Sequence, residues 1–104
     1  MLYHLEFTVE YGASMSQQDL FRVWAEEAPV AIGAKAAGAL VDLWKVVGER
    51  RVIAIADFPS PDALDATLFD LPIMKQMGQH VQIKVSALRR YEDFAEDVKA
   101  RLEG

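Results

Sequence analysis

The chain has no cysteine and only two histidines among its 104 residues. The lack of cysteine excludes disulfides, thiolate metal sites and a cysteine nucleophile. The two histidines, His4 and His80, have neither a His-x-x-x-His spacing nor an acidic cluster beside them, so we expect no metal site. The composition therefore favours chemistry without a cofactor, or no chemistry at all.

Long apolar runs and a basic surface are also lacking. No stretch approaches the roughly 20 apolar residues of a membrane span, and the chain opens with a strand pattern rather than a basic and apolar leader. A net charge of −5 argues against nucleic-acid binding, which requires clustered Lys and Arg. We therefore expect a cytoplasmic protein with neither a membrane nor a nucleic acid as partner.

The hydrophobic content, 52% of 104 residues, is sufficient for one core. We expect a single domain over residues 1–104, with its core in 1–88 and a C-terminal helix in 89–104. Alternating and helical patterns indicate α+β class in the ferredoxin-like order β-α-β-β-α-β, with an antiparallel sheet and both helices on one face. The predicted elements are strands at 2–10, 40–47, 52–58 and 80–87, and helices at 16–37 and from Pro61 to before Pro72.

The segment from Ile73 to Gln79 is rich in Met and Gln and has no clear period. It is predicted to be a flexible loop or lid. Its methionines, Met74 and Met77, would then adapt to the shape of a bound ligand.

Two features indicate association between copies of the chain. Trp44 and the mixed polarity of the first and last strands predict that a second subunit covers the free face of the sheet. The tail from Arg90 has amphipathic helical spacing. It could pack on its own domain or extend as an arm onto a neighbouring protomer, and we favour the arm. A homodimer or a higher homo-oligomer is therefore expected.

Glu27 falls inside the apolar stripe of the first predicted helix, whereas its neighbour Glu26 points about 100° away to the polar side. The stripe consists of Leu20, Trp24, Ala31 and Ala34. A carboxylate that faces a core must find a partner or shift its pKa upward. Glu27 could pair with Lys35, or the Glu27 side chain could instead reach solvent. A raised pKa would suit a general base that works near neutral pH.

A set of residues spread over positions 1 to about 72 resembles the muconolactone Δ-isomerase family. They are Met1–His4, Leu43–Lys45, Gly48, Asp57–Ser60, Ala63–Leu64, Thr67–Leu68 and Leu71–Pro72. The resemblance implies a ferredoxin-like fold that associates into a dimeric α/β barrel and larger rings, uses no cofactor and serves aromatic hydrocarbon catabolism. It also implies that the reaction shifts a double bond in an unsaturated lactone by proton transfer, and that Glu27 is the family's helix-one base.

The chain departs from the resemblance just before Leu43. Members of the family carry an aromatic and a basic residue where this chain has Leu40 and Val41, and a His or Tyr where it has Asp42. These differences alter how a substrate carboxylate would be held. A larger or less charged lactone or enone is therefore expected as substrate.

The remaining candidate site residues are proposed to bind substrate around Glu27. An enolate needs a hydrogen-bond donor, for which Lys45, His4, His80 or a backbone amide are candidates. Lys35 could neutralise a substrate carboxylate. Trp24, Trp44 and Phe69, with Met74 and Met77, could line the pocket, although core or interface packing is the alternative for the tryptophans.

Two other functions fit the same pattern. One is a cofactor-independent oxygenase or cyclase that acts on a polyketide-like substrate. The other is a non-catalytic module that binds a small ligand.

Overall fold

The computed structural model describes residues 1–10 and 12–104. Its elements, in chain order, are β1 Leu2–Val9, α1 Gln17–Ala36, β2 Leu40–Lys45, β3 Arg51–Asp57, α2 Pro61–Phe69, α3 Pro72–Met77, β4 Val81–Leu88 and α4 Tyr91–Glu103. A 3-10 turn at Gly78–His80 joins α3 to β4. The predicted α+β class is confirmed, and the strands and long helices begin and end within a few residues of the predicted positions.

The four strands form one sheet in the order β2-β3-β1-β4. Every neighbouring pair is antiparallel, as the sequence predicts. Leu5 in the β1 strand lies between Ala54 of β3 and Val85 of β4. Leu5 and Ala54 are buried beneath Leu64 and Leu68 of α2. This packing places the helices on one face of the sheet and forms the first of two core clusters.

Helix α1 is bounded by side-chain and backbone signals that the sequence carries. The Ser16 hydroxyl accepts a hydrogen bond from the Asp19 amide at 3.1 Å, and the Asp19 carboxylate accepts one from the Ser16 amide at 3.0 Å. This reciprocal capping box satisfies amides that have no partner within the helix. The chain leaves the helix through Gly38, whose φ of +89° is in the left-handed region that glycine tolerates. The predicted start and end of this helix are confirmed to within one residue.

The prediction of a flexible loop at Ile73–Gln79 is wrong. Residues Pro72–Met77 form helix α3, in which Pro72 occupies the first turn. Ile73 and Met77, four residues apart, are only 4% and 1% exposed and pack in a second core cluster with Leu20 and Val23 of α1. Proline is favoured at the first helical position, so Pro72 begins a helix here as well as following one.

The other face of the sheet has no covering helix among the described elements. Trp44 pairs with Ile53, and these positions alternate with the core pair Leu43 and Ala54, so the Trp44 indole points to this open face. The Trp44 side chain is 52% exposed. The Trp44 indole therefore exposes a large apolar surface on the open face of the sheet.

Helix α4 is also without a packed apolar face. None of its residues is buried, and the exposed large apolar side chains along it are Tyr91, Phe94, Val98 and Leu102. The molecule measures 61 Å in length and 26 by 22 Å across. Within residues 1–10 and 12–104, no helix combines the length and apolarity that crossing a bilayer requires.

Candidate active site

A cavity of about 380 Å³ lies between α1, α2 and the helix-bearing face of the sheet. This volume is in the range of sites that hold small molecules. The wall from α1 includes Trp24, Glu27, Val30, Ala31 and Ala34; the wall from α2 includes Leu64, Thr67 and Leu68; the floor includes Leu5, Phe7, Leu40, Leu43, Val52 and Ala54. The small side chains of α1 at positions 31 and 34 leave the space open.

Glu27 and Lys45 are the only ionisable residues among the described ones that border this cavity. Glu27 is half-buried on α1, in line with Leu20 and Trp24 as the helical period predicts. The lining around it is otherwise almost entirely aliphatic or aromatic. A ligand in this cavity would therefore meet one acid in an apolar surround.

The Glu27 carboxylate is held by the start of helix α3. Its Oε2 atom accepts a hydrogen bond from the Ile73 amide at 3.2 Å. The first amides of a helix have no intrahelical partner, and Leu71, the residue that caps α3, supplies no side-chain hydrogen bond. Glu27 therefore caps α3 from another helix. Its second oxygen, Oε1, accepts no hydrogen bond from the described residues, so it can accept a proton from a ligand.

The pKa of Glu27 is raised above its ordinary value. Burial is the main cause, because it penalises the charged carboxylate, and the hydrogen bond from the Ile73 amide opposes the shift without cancelling it. A carboxylate whose pKa is raised toward neutrality is a stronger base than a fully solvated one. The position of Glu27 beside the cavity and its raised pKa thus both make it the candidate base.

The adjacent Glu26 has a different environment, as the sequence predicts. It is exposed and accepts a hydrogen bond from the Gln76 side chain of α3. Glu26 and Glu27 thus both contact α3, but only Glu27 borders the cavity. This pair offers an internal comparison between a solvated and a half-buried carboxylate.

Lys35 does not neutralise Glu27. Its Nζ atom donates to Oδ1 of Asp42 at 2.9 Å, in an ion pair whose side chains are 49% and 41% exposed. The hydrogen bond from Lys35 is the main reason that the pKa of Asp42 is lowered. Lys35 does not border the cavity. The structure therefore leaves Glu27 without a lysine partner among the described residues.

Trp24 borders the cavity from α1 and also packs against the second core cluster. Trp44 is next to the cavity in β2, but its pairing with Ile53 places the indole on the open face of the sheet. Lys45 lies beside the cavity, and its Nζ atom donates to the Val46 carbonyl oxygen at 2.7 Å. Of the expected substrate-binding residues, Trp24 and Lys45 thus have side chains on the cavity side.

The other five expected substrate-binding residues lie outside the cavity lining, and one of them, Phe69 at the end of α2, is 65% exposed. His4 pairs with Ile55 and is on the open face of the sheet. His80 lies in the turn before β4, with its ring next to Gly12. Met77 is in the core between α1 and α3, and Met74 packs against that core. The expectation that the methionines adapt to a ligand on a mobile loop is corrected, because α3 packs them into a helix interface.

Two contributors to the site were missed by the sequence analysis as site residues. The Ile73 amide positions Glu27. Pro72 is the sequence signal that a helix begins there and leaves the Ile73 amide without a partner inside the helix. Thr67 borders the cavity from α2, where its hydroxyl donates to the Ala63 carbonyl oxygen at 2.9 Å. In the described part of the chain, no group of three or more His, Asp or Glu side chains is placed to hold a metal ion.

Comparison with known proteins shows the family of the chain. The family model for muconolactone delta-isomerase matches residues 1–93. The chain belongs to the muconolactone Δ-isomerase family. It is 32% identical over 91 residues to a muconolactone Delta-isomerase of Pseudomonas aeruginosa PAO1, covering 88% of this chain and 91% of that protein. It is 28% identical over 97 residues to muconolactone Delta-isomerase 2 of Acinetobacter lwoffii, covering 93% and 97%.

A solved structure of the muconolactone Δ-isomerase family has the same fold. The crystal structure of a muconolactone isomerase at 3.3 Å resolution superposes with a TM-score of 0.72 at 29% identity, covering 86% of this chain and 90% of that one. The predicted membership of this family of isomerases is therefore confirmed, and the match extends beyond residue 72, where the sequence resemblance weakens.

Proposed function

We propose that this member of the muconolactone Δ-isomerase family shifts the double bond of an unsaturated lactone, with Glu27 as the proton carrier. The observation that supports this most is the position of Glu27. It is the only acid among the described lining residues, and one of its oxygens is fixed by the Ile73 amide at 3.2 Å. The relatives named above are muconolactone isomerases. We therefore propose an unsaturated lactone as the substrate class.

In this proposal the reaction is a proton shift that leaves the composition of the lactone unchanged. Oε1 of Glu27 takes a proton from a ring carbon activated by the conjugated carbonyl; the C–H bond breaks, an O–H bond forms, and the electron pair delocalises into a dienolate. Glu27 then returns the proton to a different ring carbon, which moves the double bond. No oxidant or reductant is needed. A base of this kind contributes about 10²- to 10⁴-fold to the rate.

The dienolate oxygen requires a donor, because stabilising the developing negative charge is a large catalytic term. Lys45 is the only cation among the described lining residues. Its ammonium group carries three rotatable donors on a flexible stem, and one of them reaches the Val46 carbonyl oxygen. We propose that Lys45 turns toward the lactone carbonyl when substrate is bound.

We also propose that the protein acts as a homodimer or higher homo-oligomer in which sheets meet through their open faces, as in a dimeric α/β barrel. The support is the 52% exposure of Trp44 on the open face and the unburied apolar side of α4. Burial of Val98 and Phe94 by a neighbouring protomer would stabilise the assembly, because apolar area removed from water contributes about 25 cal/mol per Å².

Light scattering should show a mass of two or more chains, and Val98→Asp should reduce that mass. A monomeric wild-type protein would contradict the assembly.

Isomerisation can be tested by NMR in D₂O with a panel of unsaturated γ-lactones. The wild-type protein should exchange ring protons for deuterium or move the double bond, and Glu27→Gln should lose that activity by about 10²-fold or more. Gln keeps an oxygen that can accept from the Ile73 amide but cannot accept the substrate proton at neutral pH. Turnover that requires oxygen would favour an oxygenase. Binding without exchange in the wild type would favour a ligand-binding module.

A further inference from the structure

We propose that the cavity has a second activity, the ring-opening elimination of flat bicyclic isoxazoles, with Glu27 as the base. This activity goes beyond the proposed isomerisation, because its substrate is not a lactone and its ring opens. The two reactions share only their first event, which is the removal of a proton from carbon.

The proposed elimination balances in atoms and electrons. Oε1 of Glu27 takes the proton from the carbon next to the ring nitrogen; the C–H electron pair forms the third bond of a nitrile, and the N–O bond breaks to leave a phenolate. The product has the composition of the substrate, so no oxidant, reductant or co-reactant is needed. Glu27 then gives its proton to water or to the phenolate, which restores the base.

The free oxygen of Glu27 is placed to take a proton from a bound ring. The Ile73 amide fixes Oε2 at 3.2 Å, whereas Oε1 accepts no hydrogen bond from the described residues. Glu27 is half-buried at the border of the cavity. Partial burial removes some of the water that would stabilise the carboxylate and weaken it as a base, and the remaining solvent contact lets the proton leave after each turnover.

Trp24 and Ala31 provide a place for a flat ring beside this oxygen. Trp24 precedes Glu27 by three residues on α1 and Ala31 follows it by four, so the three side chains share one face of the helix. All three border the cavity, and Trp24 also packs against the second core cluster, which limits its motion. A bicyclic ring stacked on the Trp24 indole would therefore lie next to Glu27, and the small side chain of Ala31 leaves room for it.

The cavity has the size and the lining for a flat bicyclic molecule. Its volume of about 380 Å³ is in the range that holds small ligands, and apart from Glu27 and Lys45 its described lining is almost entirely aliphatic or aromatic. A nitro-substituted benzisoxazole releases a phenolate whose negative charge spreads into the nitro group. The elimination therefore makes little demand on an oxyanion donor, so it examines the base separately from Lys45.

The test follows the coloured phenolate that nitrobenzisoxazole releases at neutral pH. The wild-type kcat/KM should exceed the second-order rate constant of acetate by at least about 10³-fold, because the base is held in place beside the bound ring. Glu27→Gln, which keeps an acceptor for the Ile73 amide, should lose about 10²-fold or more. The matched variant Glu26→Gln, at a position outside the cavity lining, should stay within about twofold of the wild type. A wild-type rate no greater than that of acetate, or equal rates in the two variants, would overturn the proposal.

Two further variants locate the reaction. Ala31→Phe fills the space beside Trp24 and should lower kcat/KM about tenfold or more while circular dichroism shows an unchanged fold. An unaltered rate in Ala31→Phe would place the reaction outside the cavity and overturn the proposal. Loss of elimination in Lys45→Met, with Glu27→Gln as active as the wild type, would assign proton removal to a lysine amine and also overturn it.

The lactone assay distinguishes failure of this inference from failure of the proposed function. Elimination that depends on Glu27, without turnover of any unsaturated lactone, would support the inference and overturn the isomerisation. Turnover of a lactone, without elimination faster than acetate alone achieves, would leave the isomerisation standing and overturn the inference.

Discussion

Replacement of Met77 by alanine tests whether α3 is a fixed wall beside the site or a mobile lid. Met77 is 1% exposed and packs with Leu20, Val23 and Ile73 between α1 and α3. About one turn earlier in the same helix, the Ile73 amide holds Glu27, and the Met74 side chain, which packs against the same core, serves as a matched control. The outcome therefore concerns both stability and the position of the base.

The magnitude follows from the buried volume. Met77→Ala removes three heavy atoms from the core, and about 0.8 kcal/mol for each buried methylene-sized group gives roughly 2.4 kcal/mol. The cavity that remains raises this, so that Met→Ala at a fully buried site costs about 2 to 5 kcal/mol. Met74 is only half-buried, and Met74→Ala should cost about half as much or less. A mobile loop would give changes within about 0.5 kcal/mol for both.

The assay is urea unfolding at fixed protein concentration, because self-association would make the midpoint depend on concentration. Hydrogen exchange of the Ile73 amide, followed in the same variants, reports whether α3 opens. We expect Met77→Ala to lower the free energy of unfolding by at least about 2 kcal/mol and to speed exchange at Ile73. Equal and negligible effects of Met77→Ala and Met74→Ala would refute the assignment of α3 to the core.

Three further predictions concern charge and space at the site. The pKa of Glu27 is raised above its ordinary 4.5 because burial disfavours the charged carboxylate. The stability of the wild-type protein therefore falls as pH rises from the ordinary pKa through the raised one. Glu27→Gln, which has no charge to bury, should be more stable than the wild type at pH 7, and the melting temperatures of the two proteins should converge toward pH 4. The Lys35–Asp42 pair is about half exposed and screened by solvent, so Asp42→Asn should shift the midpoint of urea unfolding only slightly and leave kcat/KM within about twofold. The lowered pKa of Asp42 makes the small contribution of the pair present above the ordinary 3.8 and lost as pH falls through the lowered pKa. Ala31→Phe, which points a ring into the cavity beside Glu27, should weaken ligand binding about tenfold or more by calorimetry while circular dichroism shows an unchanged fold; unaltered affinity would mean that ligands bind elsewhere.

The periodic elements could be predicted from the sequence because one face of each is buried. The 3.6-residue period of α1 placed Glu27 among Leu20 and Trp24, and the structure has it there. The alternation in β1 separated Leu5 from His4, which the register confirms. In both cases a long run of residues reports the same face, so that one polar position inside it is informative.

The short helix and the tertiary pairs could not be predicted in the same way. Helix α3 has six residues, which is under two turns and too short to display a period. Its Met and Gln content favours a mobile segment, whereas the i, i+4 pair Ile73 and Met77 indicates a buried face. The partner of Lys35 is Asp42, seven residues along in the next strand, and such a contact depends on how α1 meets β2.

The measurement that tests the central claim most directly compares Glu27→Gln with Glu26→Gln in the D₂O exchange assay. Both variants remove one negative charge from adjacent positions of α1, and both original carboxylates contact α3, but only Glu27 borders the cavity. If Glu27 carries the proton, its variant loses about 10²- to 10⁴-fold in the rate of lactone isomerisation and Glu26→Gln stays close to the wild type. Similar rates for the two variants would contradict the assignment of Glu27 as the base.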